Sequence, residues 1–312
     1  MIGALVIDKP EGLTSHDVVS RVRRAAATRR VGHAGTLDPF ATGVLVVCIG
    51  QATRLVQFLV GLDKEYTATV RLGFATDTQD LTGKQIGPLR PPRGLSAADL
   101  RRTLHEFTGP MLQLPPMYSA KKVGGERLYR AAREGREVER APVPVTIHSI
   151  ELIGGEEARP AENEDGTRDF MMRVRCSSGT YIRTLAHDMG DKLGVGAHLA
   201  ALRRLAVGRF RIEGSLTLDE VEAMGRGAAL GPRAVTPSDM LAHLSLLTLD
   251  QERARRVLNG REFGVSAEEA EAVRGGAGAV RLCGEAGQLM GVGEYDPARQ
   301  IVRPRVVLHD TV

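Results

Sequence analysis

Two short segments of this 312-residue chain carry side chains that could do chemistry at a defined spacing. The first runs from Gly32 through His33, Ala34, Gly35, Thr36, Leu37, Asp38 and Pro39 to Gly43. Its glycines let the backbone turn tightly, and Asp38 sits between Leu37 and Pro39, so a stiff turn presents its carboxylate at the mouth of an apolar strand. Taken singly, the segment also reads as a plain Asp-Pro turn. The second is Gly179-Thr180-Tyr181-Ile182-Arg183, where Tyr181 and Arg183 share a face if the chain is extended. Such an arginine can pair with a carboxylate and such a tyrosine can line a flat pocket, although a surface strand end accounts for the residues equally well.

Several other chemistries lack their parts. The chain has no GxxxxGK[ST] phosphate loop, HExxH helix, GxSxG elbow or clustered His/Cys ligands. Cys48, Cys176 and Cys283 lie more than a hundred residues apart, which excludes a disulfide framework and a CxxC metal knuckle and fits a reducing compartment. No apolar stretch approaches the length of a membrane helix, and Asp8 and Pro10 interrupt the N-terminus where a signal peptide needs an apolar core, so a cytoplasmic protein is expected. The formal charge of +4 points to a nucleic-acid partner, and the excess lies before Ser245. From that residue on, nine arginines meet ten acids. With no Trp and five Tyr, the chain cannot offer a broad stacking platform, so each tyrosine becomes informative. Four of the five are Tyr66, Tyr118, Tyr129 and Tyr181.

The elements that must position these residues follow from pattern. Ala4–Ile7 reads as a short buried strand, and Ser15 as the N-cap of a helix over 16–27 with Val18, Val19 and Val22 on its apolar stripe. Val44–Ile49 reads as an apolar strand, and residues 66–74 alternate like an exposed one. Residues 76–83 form a polar loop in which Asp77 and Asp80 have the look of turn caps. From Leu114 to Val145 little can be buried, and seven basic residues lie between Lys121 and Arg140, around a short helix expected over 126–134. That segment reads as an excursion from the core, able to close over a ligand. A strand over 170–175 leads into a helix over 186–193. An apolar helix near 240–247 precedes strands near 279–282, 288–292 and 301–308, a small β-rich module of some 65 residues.

The Asp38 loop, Lys64-Glu65-Tyr66, Met117-Tyr118-Ser119-Ala120, Gly179 to Arg183, and Gly196 to Leu205 occur together in order. In this the chain closely resembles the bacterial TruB-type tRNA pseudouridine synthases, which isomerise uridine 55 in the TΨC loop of tRNA. The resemblance implies an α+β (mixed α/β) catalytic domain over residues 1–246 with a large, mostly antiparallel sheet and a thumb-like insertion at about 115–142. It implies a PUA-like RNA-binding domain over 247–312. It makes Asp38 the essential carboxylate, Arg183 its ion-pair partner and Tyr66 the ring that stacks on the target uracil. Tyr181 and Leu202 become further walls of the pocket, His33 the residue that fills the gap left by the flipped base, and Lys9 a matching basic position. Lys121, Lys122, Arg127 and Arg130 would contact phosphates from the thumb. Met117 and Tyr118 are either core anchors of its hinge or RNA contacts.

Bottom-up roles agree with that assignment. A uridine in a folded loop must be extruded, which calls for a stacking ring and a plug. Breaking C1′–N1 and joining C5 to C1′ is redox-neutral, so no metal or cofactor is expected, and one ionised carboxylate kept charged by an arginine suffices. Asp38 either attacks C1′ or takes the 2′ proton, and Tyr66 is the nearest candidate to help remove the C5 proton. A non-catalytic RNA binder or chaperone would share the thumb, basic face and tail, but would need neither Asp38 nor Arg183 in an apolar pocket. A guide-RNA-dependent enzyme is the other alternative. The thumb-like insertion and the start of the chain beside the core favour a monomer that binds the tRNA TΨC stem-loop with no guide RNA and no membrane.

Overall fold

The computed structural model describes residues 2–119, 122–123, 126–128, 132, 134–136, 138–154, 160–224, 228–274 and 278–309. The main strands are β1 (Gly3–Lys9), β2 (Val31–His33), β3 (Thr42–Ile49), β4 (Lys64–Leu72), β5 (Gly109–Gln113), β6 (Val143–Leu152), β7 (Arg168–Cys176) and β8 (Ala197–Val207). They run in the order β1-β3-β8-β4-β7-β6-β5, with β2 on β3. Every pairing on this path is antiparallel except β3 with β8, where Arg203 and Arg204 face Thr42 and Gly43. The chain is thus an α+β protein built on one large sheet.

Burial explains the strand sequences. β4 alternates strictly, with Lys64, Tyr66, Ala68, Val70 and Leu72 turned inward and the intervening residues half-exposed. This is the pattern of a strand with one face covered. It is an interior strand, paired along its length with β7 and β8, and not the exposed one that its alternation suggests. Helices α1 (Ser15–Ala25), α2 (Ala97–Glu106) and α3 (Ile182–Lys192) supply the cover. Leu185, Ala186 and Met189 of α3 and Leu100 and Leu104 of α2 pack with Tyr66, Val70 and Met172 in one apolar cluster. β3 reads as an unbroken apolar run because both its faces are covered. Leu45, Val47 and Ile49 meet Val18, Val19 and Val22 of α1, while Val44, Val46 and Cys48 belong to a cluster that includes Cys283, Leu289, Val292 and Val306 from the C-terminal part.

That part is a five-stranded sheet of β9 (Ser245–Leu249), β10 (Phe263–Gly264), β11 (Ala279–Gly284), β12 (Leu289–Asp296) and β13 (Ile301–Val307), ordered β9-β11-β12-β13-β10. The apolar helix expected near 240–247 is instead a single turn, Pro237–Met240, followed by β9. Pro237 favours a helix start, but Leu247 and Leu249 face inward at strand spacing. The N-cap of α1 is Thr14, not Ser15. Thr14 and Asp17 form a reciprocal capping box, with Asp17 N to Thr14 Oγ1 at 3.1 Å. In the excursion, Glu126–Arg127 pairs with Lys122–Val123 as a tiny hairpin where a helix is expected to begin. Much of the rest of that stretch lies outside the described residues.

The parallel contact of β3 with β8 requires glycine at position 43. Gly43 has φ +99°, and a Cβ there would stand 2.2 Å from the Arg204 carbonyl oxygen. Gly43→Ala should therefore lower stability by about 2 kcal/mol or more, a loss of several degrees in melting temperature that calorimetry would register; an unchanged melting point would contradict the close approach.

Candidate active site

Asp38 lies in the connection between β2 and β3, and three separate groups clamp the backbone around it. Ser15 Oγ, freed from capping, accepts from Leu37 N at 2.9 Å and donates to Leu37 O at 3.2 Å. Lys9, fully enclosed, directs its ammonium to the carbonyls of Pro10, Leu13 and Pro39 at 2.8, 2.6 and 3.1 Å. Arg204 of β8 donates to Gly35 O at 3.1 Å and Thr36 O at 3.3 Å. The stiff turn expected around Asp38 is thus held in place by three further clamps.

Arg183, in the first turn of α3, points back beneath this loop. Its Nε stands 2.9 Å from Asp38 Oδ2, and its Nη1 3.3 Å from Asp80 Oδ2. It also donates to Thr78 O at 3.2 Å and Tyr118 O at 2.9 Å, so it ties the 76–83 loop and the base of the excursion to the site. The Arg183 side chain is 5% exposed and that of Asp38 is 35% exposed, so the carboxylate reaches open space from a buried anchor. Burial pushes the Asp38 carboxyl above the ordinary carboxylate range, and Asp80 adds to this, while Arg183, Lys9 and Arg204 oppose it.

The space above is a cavity of about 270 Å³. Asp38, Tyr66, Tyr181, Arg183 and Leu202 line it together, joined by Lys64 and Arg204. Tyr66 is buried on the sheet floor, and burial raises its hydroxyl pKa. Tyr181 is fixed through its backbone, whose N–H donates to Gln113 Oε1 at 2.8 Å and whose carbonyl accepts from Gln113 Nε2 at 3.0 Å. Lys64 gives two hydrogen bonds of 2.6 Å to Val60 O and Leu62 O, and burial brings its pKa down to about 8. The cavity therefore combines one partly exposed carboxylate, a flat ring, apolar walls and more cations than that carboxylate can neutralise.

Two expected residues stand elsewhere. Lys9 lies beneath the Asp38 loop and not on the cavity wall. His33 is half-buried on β2, also away from the lining, and its pKa is lowered first by burial and then by the Arg204 charge. Lys121 and Arg130 lie outside the described residues, as do the side chains of Lys122 and Arg127. Sequence reasoning read Asp80 only as a turn cap and gave Lys64 and Arg204 no role in the site. Asp80 does cap its turn, accepting from Thr82 N at 2.9 Å, but its second oxygen reaches Arg183. Lys64 and Arg204 carried a legible signal, since each is a charged residue in phase with the buried positions of its strand. Among the described residues no group of three or more His, Cys, Asp or Glu could hold a metal, and no helix is long and apolar enough to cross a membrane.

Removing Arg183 takes away the opposite charge nearest to Asp38. Arg183→Met should raise the Asp38 titration, followed by carboxyl carbon NMR, by about 1–3 pH units; a titration at or below its wild-type position would contradict the pairing.

The chain is similar to known proteins along most of its length. Residues 23–182 match the TruB family pseudouridylate synthase N-terminal domain, and residues 183–241 match the tRNA pseudouridylate synthase B C-terminal domain. The tRNA pseudouridine synthase B of Opitutus terrae is 49% identical over 222 residues, which is 71% of this chain and 88% of that protein. That of Bacillus velezensis is 38% identical over 309 residues, 98% of this chain and 97% of the relative. Among solved structures, a chain of a Cbf5-Nop10-Gar1 complex superposes with a TM-score of 0.69 at 25% identity, covering 99% of this chain and 84% of that one. A chain of an H/ACA RNP bound to a substrate RNA containing 2′-deoxyuridine gives 0.69 at 24% identity, with 99% and 85% covered, and shares the fold. The two family matches run without a break across Asp38, Tyr66, Tyr181, Arg183 and Leu202, and the chain belongs to the TruB family of pseudouridylate synthases.

Proposed function

We propose that this protein isomerises uridine 55 in the TΨC loop of tRNA to pseudouridine, with Asp38 as the essential carboxylate. The observation that carries the reading is the Asp38 carboxylate, 2.9 Å from Arg183 Nε, at a cavity floored by Tyr66 and walled by Tyr181 and Leu202. A cavity of this kind takes one planar base, so the target uridine has to leave its stack. Extrusion costs a few kcal/mol, which stacking on Tyr66 offsets, while His33 fills the gap in the RNA.

In the reaction the C1′–N1 bond breaks with its electron pair leaving on the uracil. Asp38, ionised, either attacks C1′ or takes the 2′ proton, and both routes need its negative charge. The freed base turns within the cavity, C5 bonds to C1′, and the C5 proton is lost with help from Tyr66. The proton lost from C5 is balanced by one taken up at N1, so substrate and product are isomers and the step needs no cofactor. Lys9 serves this chemistry indirectly, by holding Pro39 O and hence the turn that presents Asp38.

Lys121, Lys122, Arg127 and Arg130 of the thumb would grip phosphates, adding affinity and salt dependence without sequence information. The region 247–312 is read as a PUA-like module that extends the RNA-binding surface beyond the catalytic domain of residues 1–246. The enzyme acts as a cytoplasmic monomer with no guide RNA, and a tRNA substrate is supported by its 38–49% identity to proteins named tRNA pseudouridine synthase B.

Incubating the purified protein with tRNA tritiated at uracil C5 tests the reading. Wild type should release tritium from one position of the TΨC loop, and Asp38→Asn should retain tRNA binding while losing turnover by about 1,000-fold or more. No release from wild type under binding conditions would overturn the enzyme reading, and substantial activity of Asp38→Asn would show that another carboxylate does the work.

A further inference from the structure

Arg204 does more than its contacts require. Only 1% exposed, it sits on β8 directly across from Tyr66 of β4 and lines the cavity floor. Its Nε donates to Val44 O at 2.7 Å, and its two terminal nitrogens reach Thr36 O and Gly35 O. All of these partners are neutral carbonyls. The carboxylates of the surrounding site are engaged by other arginines, Asp38 and Asp80 by Arg183 and Asp8 by Arg203. A buried guanidinium with no carboxylate partner is expensive, and neutral donors can clamp a loop, as Ser15 does at Leu37. The charge itself therefore needs a use.

Its position supplies one. The same guanidinium interacts with the Tyr66 hydroxyl, where burial, Cys176 and Asp38 all disfavour negative charge on the oxygen and Arg204 favours it. We propose that Arg204 is a positioning residue that fastens the Asp38 loop to the strand bearing Tyr66 and assists the proton transfer at Tyr66. This inference rests on the uridine isomerisation proposed above. After C5 has bonded to C1′, C5 still carries its hydrogen and the ring holds a C6=N1 double bond. The C5–H bond breaks, its electron pair closes C5=C6, the C6=N1 pair moves to N1, and N1 takes up a proton, so the overall change is a tautomerisation. A phenolic oxygen that receives the C5 proton must have given up its own or pass it on at the same moment. The fixed positive charge of Arg204 beside that oxygen lowers the cost of either course. Arg204 therefore acts through Tyr66 and is not itself a group that takes the proton.

The test compares single-turnover rates on tRNA carrying protium or deuterium at uracil C5, for wild type, Arg204→Gln and Arg204→Lys, each with tyrosine or the more acidic 3-fluorotyrosine at position 66. The lysine variant keeps a cation on the strand, so the comparison survives if Arg204→Gln does not fold. Arg204→Gln should slow turnover by about 10- to 100-fold and Arg204→Lys by less. In each folded variant the protium-to-deuterium rate ratio should exceed that of wild type, and 3-fluorotyrosine should return part of the lost rate. A slowed variant with the wild-type ratio and no recovery would reduce Arg204 to a loop anchor and overturn the inference, as would a variant at wild-type rate. Absence of turnover by wild type itself would overturn the proposed function, and this inference with it.

Discussion

The arrangement depends on one constraint: a carboxylate held largely among buried groups, with only part of it open to the cavity, must stay negative. Burial alone drives Asp38 toward its neutral form. Arg183 opposes this, but a single buried arginine balanced by a single carboxylate would settle into a closed pair with nothing left for a substrate. Here Arg183 is shared, with Asp80 fixing one end of the guanidinium and Asp38 meeting the other. The three groups carry a net charge of −1, and Lys9 and Arg204 stand near Asp38 as compensating cations. Each of those two cations donates to backbone carbonyls. They can therefore act on Asp38 through space without sealing it in an ion pair.

That electrostatic design fixes what the fold must do. Loop 34–41 has to hold its place to within a hydrogen bond, and it is clamped from β1 by Lys9, from α1 by Ser15 and from β8 by Arg204. Those clamps work only if the three elements are rigid relative to one another. The close passage of β8 over Gly43 and the coverage of β3 on both faces provide this. The C-terminal sheet contributes to the same end, since Cys283, Val292 and Val306 complete the cluster on one face of β3. Arg54 and Gln51 also donate to the carbonyls of Val307 and His309 across that contact. The two parts of the chain share a core, so the outer sheet buttresses the strand that follows Asp38.

Much of this was legible in the sequence, for physical reasons. Strand β3 announces itself by an apolar run, β4 by alternation, and the Asp38 turn by glycine and proline at fixed offsets. Pairing of Arg183 with Asp38 came from resemblance, and the distance of 2.9 Å agrees with it. Asp80 was read as a turn cap because its local chemistry is that of a cap. Its second role depends on a partner 103 residues away, which no local pattern reports. Ser15 departs from its expected capping role for a related reason, since Thr14 and Ser15 are both good caps and only the tertiary contact with Leu37 decides between them. The helix expected at 240–247 fell to the ordinary ambiguity of short leucine-rich runs, which satisfy helix and strand spacing alike.

The central claim is that a carboxylate of raised pKa must be ionised for the isomerisation to proceed. Its most direct test is the pH dependence of the single-turnover rate of pseudouridine formation on tRNA by the wild-type protein. Because the folded site disfavours ionisation, the rate should fall on the acid side with the slope of a single proton, at a midpoint above the ordinary carboxylate value of about 4. A rate that stays level down to that value, or falls with a steeper slope, would contradict the account.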